Sequence, residues 1–156
     1  MKGARHQRTC RIGKRLTMST EQNKSAKWRY IEAFNRRDLR VFPELFSAGY
    51  TLRATGFPEI HGPDELQRAV AVSFETLSDI RLTADDMVAE GDKVATRWTM
   101  RARHTGHFMG VAPTGRELAF SGTVIDRFVD GKVVEAWETV DMLGLMRQLG
   151  ATPAFE

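Results

Sequence analysis

A chain of 156 residues is long enough for one ordinary domain with a real core, and 42% hydrophobic with 28% charged residues is the balance of a globular protein. No apolar run approaches the roughly 20 residues that span a bilayer, and the single Cys10 excludes a disulfide framework or a cysteine-rich metal site. The net charge of +3 belongs to one end: residues 1–17 hold Lys2, Arg5, Arg8, Arg11, Lys14 and Arg15 and no acid, leaving 17 basic against 20 acidic residues in the remainder.

A mildly acidic folded part argues against a nucleic-acid partner, and the apolar pattern argues against a membrane. Residues 1–18 lack the apolar stretch of a secretory signal. An Arg-rich, acid-free segment suits a transit peptide or a nucleic-acid arm, but a disordered basic extension is the simpler reading, since Met18-Ser-Thr-Glu-Gln resembles a natural start. The expectation is one domain over residues 19–156 in a cytoplasmic protein.

Residues 25–37 place Trp28, Ile31 and Phe34 at helical spacing beside Ala33, with Lys27, Arg29, Arg36 and Arg37 outside the stripe, so a helix with one buried face is predicted. Asp38 is a candidate N-cap for a short second helix, and residues 50–54 alternate like a strand. After a loop at 56–62, Pro63-Asp-Glu opens a third helix carrying Leu66, Val70, Phe74 and Leu77 and stopping near Ser78-Asp79.

From Ile80 the period becomes two. Residues 80–84 and 86–90 form a strand region turned by Gly91-Asp92. Residues 93–104 then alternate Val94, Thr96, Trp98, Met100, Ala102 and His104 on one face with Arg97, Arg101 and Arg103 on the other. A Gly- and Pro-containing loop spans 106–115. Residues 117–129 and 132–141 make a hairpin about Asp130-Gly131, and a terminal helix over 143–149 ends at Gly150 with Pro153 beyond it. Helices followed by a run of strands predict an α+β fold: a curved antiparallel sheet wrapped around three N-terminal helices, a cone with a cavity where helices and sheet diverge.

The hairpin register decides which acids face that cavity. A two-residue Asp130-Gly131 turn with a regular ladder sets Asp126 opposite Glu135, two like charges. A three-residue loop of Val129, Asp130 and Gly131, with Gly131 in a bulge, shifts the ladder by one. Val124, Asp126 and Phe128 then share the inner face with Val134, Ala136, Glu138 and Val140, while Val133, Glu135 and Trp137 point outward. The second register groups the small apolar residues and is preferred.

Asp126 and Glu138 are therefore the two carboxylates on an apolar face. Glu138 is the foremost candidate general acid/base, because an apolar cavity disfavours its charged form; the alternative is a frayed, solvated strand end. Asp126 can pair with Glu138, with His104 or with a rim arginine. His104 ends the apolar face and could hydrogen-bond a carbonyl or be a capped structural histidine. His61 and His107 are loop histidines, and Asp141 reads as an N-cap. Trp98, Met100, Phe108 and Phe120 are candidate cavity-lining residues, with Val124 and His107 beside them, although apolar residues at strand spacing are core by default. No tight ligand spacing points to a metal, and no Gly-rich phosphate loop or nucleophile elbow is present.

The stretch Arg103-His-Thr-Gly-His-Phe-Met-Gly-Val-Ala-Pro-Thr-Gly-Arg116, followed by Asp130-Gly-Lys132, Trp137, Asp141 and Arg147-Gln-Leu-Gly150, resembles the SnoaL-like polyketide cyclases, also known as ester cyclases, of the NTF2-like superfamily. The resemblance implies an NTF2-like cone without metal or organic cofactor, assembled as a homodimer or homotetramer largely through its sheet. It also implies a small hydrophobic carbonyl compound as ligand and an intramolecular aldol condensation driven by an aspartate. That aspartate falls on Glu138 here, a family histidine falls on Val124, and His104 matches the position before the Gly-rich loop. The expected function is a cofactor-independent cyclase or isomerase with Glu138 abstracting a proton beside a carbonyl and His104 or Asp126 polarising the enolate. The alternative is a non-catalytic hydrophobic-ligand-binding or assembly domain in the same cone.

Overall fold

The computed structural model describes residues 19–151; the basic extension with Cys10 and Met18, and Pro153, lie outside the described residues. Helix α1 (Thr20–Asn35) opens with a reciprocal cap, Ser19 Oγ accepting from the Gln22 N–H and Gln22 Oε1 accepting from the Ser19 N–H. Its start lies five residues ahead of the predicted one because the Ser-x-x-Gln spacing defines the true N-terminus. The buried face also differs from prediction. Asn23, Lys27, Ile31 and Phe34 point inward, whereas Trp28 is 47% exposed. The stripe is rotated by one residue because Lys27 has a buried counterion, described below.

A 3-10 turn (Leu39–Val41), capped by Asp38, leads into the four-residue α2 (Phe42–Leu45). Strand β1 (Phe46–Ala54) and the two-residue β2 (Ile60–His61) precede α3 (Gly62–Thr76). The chain then gives β3 (Leu77–Glu90), β4 (Lys93–His104), β5 (Glu117–Val129), β6 (Lys132–Val140) and α4 (Met142–Leu149). The two predicted segments at 80–84 and 86–90 are one strand interrupted by an irregularity at Asp85, and α3 gives way directly to β3 at Leu77.

The architecture is α+β, as expected, with a six-stranded open sheet ordered β2-β1-β6-β5-β4-β3. It is not wholly antiparallel: β1 runs parallel to β6. Helix α1 packs over β3 and β4, and α3 over β1. Asn35 fixes one end of α1 to the sheet, donating to Leu82 O and accepting from the Leu82 N–H, each at 2.8 Å. Gln148 does the same for α4 at Ala119 of β5, beyond the end of β6. Helix α4 is capped by Asp141 at its start and ends in left-handed Gly150. No helix among the described residues is long and apolar enough to cross a membrane.

Two apolar clusters fill the concave side. The larger joins α1, α2, α3 and β1 to the inner face of the sheet through Phe34, Phe42 and Phe46, whose rings pack on Tyr30 at centroid spacings of 5.6–6.2 Å, and through Tyr50, 4.7 Å from Phe46. The smaller gathers Leu77, Ala102 and Leu118 under Leu145 and Leu149 of α4. Ile80, Met100 and Phe120 are partly buried and touch both clusters. Gly122 of β5 makes room for Trp98: an added Cβ would overlap Trp98 Cζ2 and sit 2.6 Å from the Thr139 carbonyl oxygen. The indole therefore lies flat across β5, edge-on to Phe120 at 6.1 Å.

Candidate active site

The closing hairpin places the acids on the expected face by a different device. The turn is two residues long, with Asp130 and Gly131 both at positive φ and Val129 opposite Lys132. Phe128 pairs with Val133 and Arg127 with Glu135, so the extra residue is Val134 inside β6 rather than Val129 in the loop. On its other edge β5 continues its ladder with β4, the Phe128 N–H donating to the Asp92 carbonyl at 2.7 Å. Val133 is consequently buried, a correction to its outward assignment, and Val134 is the bulged residue. Beyond the bulge Asp126 pairs with Ala136 and Val124 with Glu138, and like charges never face each other across the ladder.

Asp126 is 2% exposed and sits against Lys27, which is 8% exposed. Asp126 Oδ2 lies 2.7 Å from Lys27 Nζ, off the axis of a directed hydrogen bond, so that charge holds the two together. The ammonium group is also 5.0 Å from the centre of the Tyr30 ring. Lys27 is the residue that sequence reasoning missed. A lysine on an amphipathic helix is ordinarily solvated, and the available signal was its place in the Asn23, Lys27, Ile31, Phe34 series.

Glu138 stands on the same inner face, diagonal to Asp126 across β5 and β6, and is half-buried. Burial raises its carboxyl above the ordinary glutamate range. Lys27 opposes that rise, Asp126 adds to it, and a hydrogen bond from the Trp98 indole pulls slightly the other way. The phenols of Tyr30 and Tyr50 are pushed above their ordinary value, chiefly by burial and further by the charges of Glu138 and Asp126, so both remain neutral donors. Asn23 Oδ1 and Thr96 Oγ1 are buried on α1 and β4 without a protein hydrogen-bond partner. Trp98 and Val124 border Glu138, and Met100 and Phe120 continue the apolar wall toward the smaller cluster.

His104 is not part of this constellation. It lies eight residues along β4 from Thr96, roughly 26 Å at strand rise. Its Nδ1 accepts from the Thr114 N–H at 3.2 Å and lies 3.0 Å from Thr114 Oγ1, which places the ring proton on a buried Nε2 without a protein partner. It ties down the 105–116 loop, in which Phe108 pairs with Val111 and packs against the smaller cluster while His107 is exposed. A depression of about 380 Å³ lies on the opposite, outer side of the sheet. It is lined by Arg53, Thr55, Thr123, Ile125, Trp137 and Thr139, with Ala54 and Glu138 between them in the strands. Among the described residues no three His, Cys, Asp or Glu side chains form a group that could hold a metal ion.

The site can therefore take up and return a proton at Glu138, beside a buried cation and two phenol donors. A family model described as SnoaL-like polyketide cyclase matches residues 24–149. The aklanonic acid methyl ester cyclase AcmA of Streptomyces galilaeus is 35% identical over 130 residues, covering 78% of this chain and 86% of that protein. The nogalonic acid methyl ester cyclase of Streptomyces nogalater is 30% identical over 122 residues, covering 77% and 91%. The solved structure of AclR from Streptomyces galilaeus, described as a candidate hydroxylase, superposes with a TM-score of 0.78 at 31% identity, covering 88% of this chain and 91% of that one.

The ion pair makes a stability prediction. Lys27→Met should cost about 3–5 kcal/mol in urea unfolding, because it strands a buried carboxylate, and adding Asp126→Leu should recover most of the loss. Equal losses in the single and double variants would show that the pair does not act as a unit.

Proposed function

The chain belongs to the SnoaL-like polyketide cyclase family, and from that premise we propose that it closes a ring in a small polyketide-like methyl ester with Glu138 as the general acid/base. The observation that carries this reading is the carboxylate of Glu138, half-buried between Trp98 and the Lys27–Asp126 pair and raised in proton affinity by burial. Relatives named for aklanonic and nogalonic acid methyl esters support that substrate class. Glu138 removes a proton from a carbon beside a carbonyl, and the C–H electron pair becomes the enolate. The enolate carbon attacks a ketone of the same molecule, forming the C–C bond. The proton held on Glu138 then passes to the resulting alkoxide, restoring the carboxylate. The proposed chemistry draws on side chains alone, and apolar Trp98, Met100, Phe120 and Val124 would hold the rings of the substrate.

Glu138→Gln should lower kcat on aklanonic acid methyl ester by about 10² to 10⁴ with the fold intact. The pH dependence has a definite sign. The base works ionised, so kcat/KM should rise with pH through a midpoint above the ordinary glutamate value, and the variant should lack that limb. The same shift makes the native state bind the extra proton, so stability falls as pH climbs from the ordinary value through the raised one. Above that window Glu138→Gln should unfold at a higher temperature than the parent, and below it the difference should vanish. Unchanged turnover in the folded variant would remove Glu138 from the mechanism.

The same reading includes a homo-oligomer formed through the sheet. Val88, Ala95, Ile125 and Trp137 make a cross-strand row on the outer face, with Val88 60%, Ile125 40% and Trp137 37% exposed. Trp137→Glu should lower the mass measured by sedimentation equilibrium to that of a single chain, and an unchanged mass would place the interface elsewhere.

A further inference from the structure

We propose that Lys27 is the electrophilic residue of the site, its ammonium group receiving the carbonyl oxygen of the substrate as that oxygen gains charge. This rests on the reading of the inner face as the catalytic cavity and adds a residue to it. The enolate step moves a negative charge from Glu138 to an oxygen, and Asp126 is a second carboxylate beside it. A cation facing that oxygen stabilises the charge as it forms, and more strongly where water is excluded. Lys27 is the one buried lysine or arginine among the described residues.

Its geometry suits the role. An ammonium group has three N–H donors. Asp126 lies on one side of Nζ at 2.7 Å and the Tyr30 ring lies 5.0 Å away on another, so Nζ is fixed in place without all of its donors being taken. Glu138 and Tyr30 are half-buried, so the inner face is reached from outside where they stand. Facing the same space are the Tyr50 hydroxyl from β1, Thr96 and Trp98 from β4, and Asp126 from β5. Asp126 is then a positioning residue, which holds Lys27 on the inner face and cannot itself polarise a carbonyl as an anion. His104, far along β4, has no part in the step.

The probe is 2-naphthol, whose absorbance distinguishes phenol from phenolate, bound to the full-length Glu138→Gln variant, in which the amide stands for the protonated base. With Lys27 facing the oxygen, bound naphthol should ionise at least one pH unit below free naphthol, about a tenfold preference for the anion. Adding Lys27→Met with Asp126→Leu, a neutral pair that keeps the core filled, should abolish the shift while circular dichroism shows the fold retained. The proposal is overturned if the bound probe ionises as it does in water, if the shift survives the neutral pair, or if the Lys27-containing variant does not bind the probe. Because Glu138 is absent from every arm, failure here leaves its kinetic assignment standing. Conversely, an unchanged kcat in Glu138→Gln would leave the naphtholate result intact.

Discussion

The ion pair between Lys27 of α1 and Asp126 of β5 is the interaction on which the site depends. Two charges at 9% and 3% side-chain exposure are unfavourable separately and tolerable only together. Their pairing fixes the rotation of α1, turning Lys27 inward and leaving Trp28 at the surface. It also brings a positive charge within reach of Glu138, where it opposes the combined effects of burial and of the neighbouring carboxylate. A buried pair of this kind is weak evidence for stability, and beside a carboxylate of raised proton affinity it marks a candidate site.

The hairpin contributes the second constraint. One extra residue at Val134 moves every later side chain of β6 to the opposite face. Without it Glu138 would point outward beside the Trp137 position, and Asp126 would lie opposite Glu135. The bulge and the tight Asp130-Gly131 turn form one device. Gly122 is its counterpart on β5, leaving space for the Trp98 indole that borders the carboxylate.

Much of this was legible in the residues. Period-two alternation marked β4 and β5, and the penalty for facing like charges selected a ladder with Asp126 and Glu138 inside. The position of the extra residue was not legible, because a loop of three and a bulge within β6 turn the same side chains inward, although the observed ladder, with Asp126 opposite Ala136 and Val124 opposite Glu138, lies two residues from the one a loop of three would give. Lys27 was hidden for a deeper reason: its burial is decided by a counterion nearly one hundred positions away, and hydropathy carries no record of that partner. His104 shows the converse limit. Alternation placed it correctly on the inner face, but a shared face says nothing about distance along a strand of twelve residues. The parallel pairing of β1 with β6 was likewise invisible, since it joins the two ends of the chain's order. Family likeness added the class of reaction, and AclR shows that a chain of similar fold and identity carries a different description.

Burial, opposed by Lys27 and reinforced by Asp126, raises the proton affinity of Glu138 in the resting protein. Carbon-detected NMR titration of the Glu138 side-chain carboxyl measures this directly, with Glu138→Gln identifying the resonance. The midpoint should lie above that of an ordinary glutamate and rise further when Lys27→Met and Asp126→Leu together remove the opposing cation, the larger of the two charge effects. A midpoint at or below the ordinary glutamate value in the parent protein would contradict that elevation.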